Sequence, residues 1–84
     1  MATEKRLIME TKDKIRAYRK MAGLTQFQLS EVCGMHTTEI SVYERGVRNP
    51  TLTTIARIAN GLGIHPQKLL PDWILEERRC DGNA

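Results

Sequence analysis

Residues 24–46, LTQFQLSEVCGMHTTEISVYERG, hold two short helical patterns separated by a single glycine, so the chain must reverse within a few residues. Thr25 can cap the first helix, and Gln28 three positions later completes a T-x-x-Q capping box. Leu24 before the cap and Leu29 after it stand in the positions of a hydrophobic staple. The pattern predicts Leu29 and Val32 as the buried face of this helix. Gly34 falls where the reversal needs a positive φ, which glycine adopts without steric cost. In the second helix Ile40 and Tyr43 recur at i, i+3 and are expected to face inward, and Gly46 stops the helix. The remaining face is Thr37, Thr38, Glu39, Ser41 and Val42. These side chains are too small to cover a core and compact enough to enter a groove.

The rest of the chain predicts further helices and no strand, since nothing alternates with a period of two. A first helix is expected over 10–21, with Ile15, Tyr18 and Ala22 inward and Gly23 as its stop. The two central helices fall at 26–33 and 37–45. Pro50 blocks continuation, Thr51 offers a cap, and Leu52, Ile55, Ile58, Ala59 and Leu62 predict a fourth helix over 52–61, ended by Gly61 and Gly63. His65-Pro66 opens a short fifth helix over 66–70, and Pro71 can begin a last turn within 71–79. The expected fold is all-α: a compact five-helix domain over 10–79, a flexible segment 1–9 and a flexible tail 80–84. Eighty-four residues fit one domain near the lower end of what folds unaided.

Order and spacing also carry a family resemblance. Gly23-Leu24-Thr25-Gln26, Gly34 in the turn, Ile40-Ser41-x-Tyr43-Glu44-Arg45-Gly46, Pro50-Thr51-Leu52 and Leu62-Gly63-Ile64 occur in that sequence. From about residue 12 to residue 70 the chain resembles the Cro and lambda-repressor-like (XRE-type) helix-turn-helix regulators. The resemblance implies that the second helix of the central pair reads the major groove of double-stranded DNA. It implies a transcriptional regulator, a homodimer on a palindromic operator, of the phage-repressor or restriction–modification controller kind. It further implies an ion pair between Arg19 and Glu44, a pairing Arg suits because its fork can hold a carboxylate in two hydrogen bonds. The family commonly dimerises through the end of the domain, here Ile64, Leu69, Leu70, Trp73 and Ile74, an apolar cluster containing the only tryptophan. Two positions depart from the family pattern. Ser30 replaces the usual Ala against the second helix, and His36 replaces the usual Ser or Thr cap.

Phosphate contacts and base contacts separate by residue type. Thr25 and Gln26 lie at the start of a helix, where free N–H groups and the dipole favour an anion. Arg45 and Arg48, with Asn49 beside them, bracket Gly46 at the other end of the unit. Base reading is expected from Thr37, Thr38, Glu39 and Val42, flanked by His36 and Ser41: hydroxyls address several bases, Glu39 can accept from cytosine N4, and Val42 can meet a thymine methyl. Glu39 has an equal alternative, since with His36 as cap it would fold back onto the helix start. This face carries no Arg, Asn or Gln, so it assigns no bidentate base contact. The net charge of +3, from 13 basic and 10 acidic residues, is compatible with nucleic acid without requiring it.

Other classes find little support. The two histidines, His36 and His65, have no identifiable nucleophile or acid partner, so no enzyme and no cofactor is expected. Cys33 and His36 straddle the turn and are too few for a zinc site. Cys33 reads as a small buried hydrophobe and Cys80 as a free surface thiol, which suits a reducing compartment. No run nears 18 apolar residues and no signal core opens the chain, so no membrane association and a cytoplasmic location are expected. The rival reading is an antitoxin or protein-interaction module on the same fold, with a toxin as partner.

Overall fold

The computed structural model describes residues 2–71, with side chains from Glu4 onward. Four helices follow in order, α1 (Ala2–Met21), α2 (Gln26–Cys33), α3 (Thr37–Glu44) and α4 (Leu52–Leu62), then one 3₁₀ turn at Pro66–Leu69. No strand occurs among the described residues. The expected fifth helix is therefore a single tight turn. His65 Nδ1 accepts the Gln67 N–H at 3.1 Å, and Pro66 pre-sets the first position. Leu70 then leaves the helical region (φ −100°, ψ 149°), as a residue before proline is driven to do. The last turn expected beyond Pro71, with Trp73 and Ile74, and the tail with Cys80 lie outside the described residues.

Helix α1 starts at Ala2 rather than near Glu10. Glu4 in its first turn favours the positive end of the helix, and Arg6 Nε donates to Glu10 Oε2 at 2.8 Å one turn on. The inward stripe of α1 is also different. Thr11 and Ile15 are buried and Leu7 half-buried, a spacing of four that carries the packed face back toward the N-terminus, whereas Ala22 is exposed beyond the helix.

The core is built from Ile15, Leu29, Cys33, Ile40, Tyr43, Ile55, Ile58, Ala59 and Leu69, one or more from every element. Tyr18, Leu24, Met35, Leu62 and Ile64 close its edges. Helix α2 packs chiefly on α3 and α4. Three assignments shift. Val32 is 53% exposed, because Ser30 and Cys33 take the inner face of α2 beside Leu29. Leu52 is 81% exposed at the start of α4, ahead of the stripe that begins at Ile55. Gly61 lies inside α4 and does not end it. Its role is close approach: a Cβ there would stand 2.5 Å from Cys33 Sγ. Gly63 ends α4.

The central turn has the form its glycine implied. Gly34 adopts φ +69°, and the N–H groups of Gly34 and Met35 return to the carbonyls of Glu31 and Ser30 at 3.3 and 2.9 Å. This doubly bonded end fixes the angle between α2 and α3.

Candidate nucleic-acid interface

Position of α3 follows from its buried side. Ile40 is fully buried and Tyr43 is 6% exposed, so the opposite side of the helix is turned away from the core. Thr38 is exposed there, and Ser41 and Val42 are half-buried. These three are the side chains the fold leaves available along the helix.

The first turn of α3 is tied to its surroundings. Glu39 Oε1 accepts the His36 N–H at 3.0 Å, so this carboxylate folds back onto the helix start, the second of its two expected roles. The exposed His36 imidazole makes no cap bond. Thr37 Oγ1 lies 3.1 Å from Ser30 Oγ, whose own proton goes to the Phe27 carbonyl at 2.6 Å. The Thr37 hydroxyl is thus the donor to Ser30. The departure from alanine at Ser30 has a purpose that spacing alone does not reveal: a 3% exposed hydroxyl locks the start of α3 onto α2.

The far end of α3 is anchored to α1. Arg19 Nε donates to Glu44 Oε2 at 2.6 Å and Nη2 to Glu44 Oε1 at 3.0 Å, while Nη1 reaches the Leu24 carbonyl at 2.8 Å. The side chains are 11% and 3% exposed. Gln26 Nε2 also donates to Glu44 Oε1, at 3.1 Å. Gln26 therefore spends one amide proton inside the domain and keeps one for an outside acceptor. Arg19, Gln26 and Glu44 together join α1, α2 and α3 at one point.

At the start of α2 the capping box is complete: Thr25 Oγ1 accepts the Gln28 N–H at 3.1 Å, and Gln28 Oε1 accepts the Thr25 N–H at 2.9 Å. The first intrahelical bond runs from Leu29 N–H to the Thr25 carbonyl at 2.9 Å, so the N–H groups of Gln26 and Phe27 point off the end of the helix. At the other end of the unit Arg45 is exposed, its Nε 3.4 Å from the Ser41 carbonyl, and Arg48 and Asn49 are exposed in the following loop. Asn49 lines a small cleft with Leu7, Thr11, Pro50, Leu52, Ile55 and Leu70.

The apolar end of the domain divides. Leu69 is fully buried in the chain's own core and presents no surface to a second chain, since the 3₁₀ turn folds it back onto α1 and α4. Ile64 and Leu70 are half-buried, and Trp73 and Ile74 lie outside the described residues. Burial raises the Cys33 thiol above its ordinary pKa, and the Arg57 charge partly opposes this. Among the described residues no group of His, Cys, Asp or Glu could hold a metal ion, and no helix is long and apolar enough to cross a membrane.

Comparison with known proteins agrees with this geometry. The helix-turn-helix family model matches residues 15–69. The control protein C.SmaI of Serratia marcescens is 41% identical over 58 residues, 69% of this chain and 69% of that protein. The control protein C.BamHI of Bacillus amyloliquefaciens is 40% identical over 58 residues, 68% of this chain and 72% of that protein. The crystal structure of the restriction-modification controller protein C.AhdI from Aeromonas hydrophila superposes with a TM-score of 0.72 at 31% identity, covering 74% of this chain and 94% of that one. The chain belongs to the helix-turn-helix family, of the Cro and lambda-repressor type.

Proposed function

We propose that this protein is a sequence-specific DNA-binding transcriptional regulator of the restriction–modification controller kind, cytoplasmic, acting as a homodimer on a palindromic operator. One observation carries the reading. A short helix with Thr38, Ser41 and Val42 on its free side is held rigidly at both ends, by Ser30 and by Arg19, between the helix-start N–H groups of α2 and the cations Arg45 and Arg48. That is a base-reading element flanked by phosphate-binding groups. Thr38 and Val42, one helical turn apart, read base edges; Gln26, Arg45 and Arg48 hold the backbone. The names of the relatives support the controller role over that of an antitoxin. Half-exposed Leu70, which shares a cleft with exposed Leu52, and half-exposed Ile64 support pairing through the end of the domain, without Leu69.

Selection of bound fragments from random duplex DNA tests this. The expected product is two inverted half-sites about one helical turn, roughly 34 Å, apart. Sedimentation at several concentrations is expected to show a monomer–dimer equilibrium without DNA. Enrichment of no common sequence would remove the sequence-specific reading, and single unrepeated sites bound by a monomer would remove the dimer.

A further inference from the structure

Helix α1 begins well before residue 15, where the family match starts, and its first half runs beside the turn that closes α3. Lys5, Ile8 and Lys12 recur at i, i+3 and i+7, which returns to one stripe of a helix. That stripe meets the turn. Lys5 and Ile8 line one cleft with Gly46, together with Glu4 and Met9. Lys12 Cδ lies 2.8 Å from where a Gly46 Cβ would stand, and Ile8 Cγ2 lies at 3.8 Å. Gly46 holds φ +73°, a conformation that favours glycine, and a Cβ there would have to displace the Lys12 stem. The Lys12 side chain is 22% exposed: its stem is covered by the turn and its ammonium is held at the rim. Arg45 and Arg48, immediately before and two residues after Gly46, are exposed. Lys5 and Lys12 thus lie beside Gly46, which Arg45 and Arg48 bracket along the chain, with the carboxylate Glu4 in the same cleft and Asp13 paired to Lys12. Asp13 is 71% exposed and bonds Lys12 at 3.0 Å, a surface pair that a phosphate can displace.

We propose that this edge of α1 is a further phosphate-binding site, with Lys5 and Lys12 holding the DNA backbone that flanks the base-reading segment. The inference rests on the DNA-binding reading above. Seven residues of helix carry the two lysines about 10 Å apart along α1. A DNA strand presents a phosphate about every 3.4 Å of helix axis, so both can be engaged by one strand. Arg45 and Arg48 continue the same track past Gly46. The contact carries no base information and lengthens the footprint beyond the helix-turn-helix unit.

The test compares the full-length parent with Lys5→Gln, Lys12→Gln and the double variant on the selected duplex, titrated over a range of salt. Each lysine is expected to contribute about 0.9 to the slope of log affinity against log salt, so the double variant loses about 1.8. Its selected sequence should be unchanged, its protected footprint should shorten on the flank, and Lys5→Arg with Lys12→Arg should restore the slope. A double variant with parental helicity, slope and footprint would overturn the proposal. Should Lys12→Gln unfold the chain, exposed Lys5 alone decides: an unchanged slope in Lys5→Gln overturns it. A parent that binds no duplex overturns the DNA-binding reading and this site with it, an outcome distinct from a parent that binds with a slope indifferent to both lysines.

Discussion

Arg19 and Glu44, 25 residues apart, meet in a two-pronged ion pair at 2.6 and 3.0 Å that fastens the end of α3 to α1. Both remaining demands on the cluster are met: Arg19 also bonds the Leu24 carbonyl, and Glu44 also receives the Gln26 amide. Taking two charges from water is expensive, and attraction repays it only when hydrogen bonds are satisfied in this way. The pair sets the orientation of α3 more than it adds net stability.

Glu44→Ala is therefore expected to cost about 3 kcal/mol, because Arg19 is left with a charge that is mostly covered and unmatched. Arg19→Met with Glu44→Leu should cost less than either single removal. Urea denaturation of all the variants checks this. Additive losses would show that the two residues act separately.

Gly61→Ala is expected to destabilise the fold by about 1–3 kcal/mol, although alanine is the better helix former by about 1 kcal/mol. The added methyl would lie 2.5 Å from Cys33 Sγ, and Cys33, the last residue of α2, cannot retreat because it is buried where α2 packs on α4. Combining the change with Cys33→Ala removes the sulfur and should recover part of the loss, since Val32 Cγ2 at 3.2 Å and the Cys33 backbone nitrogen at 3.3 Å remain. A Gly61→Ala variant as stable as the parent in thermal denaturation would mean that α2 and α4 yield readily.

Thr38→Ala and Val42→Ala should keep the melting temperature within a few degrees and relax discrimination at particular base pairs, by about 1–3 kcal/mol per good contact. Arg48→Ala should instead weaken all sequences alike and lower the salt slope by about 0.9. Binding measured on the operator and on single-base variants separates the two patterns. Reversed behaviour would exchange the assigned roles.

Stability should carry a thiol-dependent fall at alkaline pH. The folded chain holds the Cys33 proton more tightly than the unfolded chain, because burial raises the thiol pKa. Below the ordinary thiol value of about 8.5 that preference is fully present; above it the unfolded state loses its proton first and stability declines. Denaturation of the parent and of Cys33→Ala from pH 7 to pH 10 is expected to show a steeper decline for the parent. Parallel curves would mean that the buried thiol does not couple to folding.

What could be read from the chain alone was local in origin. Thr25 with Gln28, Gly34, Ile40 with Tyr43, Pro50 with Thr51: each is a cap, a stop or a stripe whose physics is complete within a few residues, so α2, α3 and α4 came out close to their observed bounds. The pairing of Arg19 with Glu44 was implied by family resemblance, not by spacing.

Tertiary packing decided the rest. Whether Val32 or Cys33 turns inward depends on where α4 lies, and Gly61 shows how close it comes. Leu69, whose apolar character alone could equally mark an interface, is buried because a 3₁₀ turn before Pro71 folds it onto α1 and α4. Gln26 looks free on a helical wheel, yet its amide bonds Glu44, 18 residues on. The approach of Lys12 and Ile8 to Gly46 involves residues more than 30 positions apart, beyond any periodicity. Local rules determine which helices form and where they end; which face is buried, and which polar group is already engaged, depends on neighbours that only the folded chain supplies.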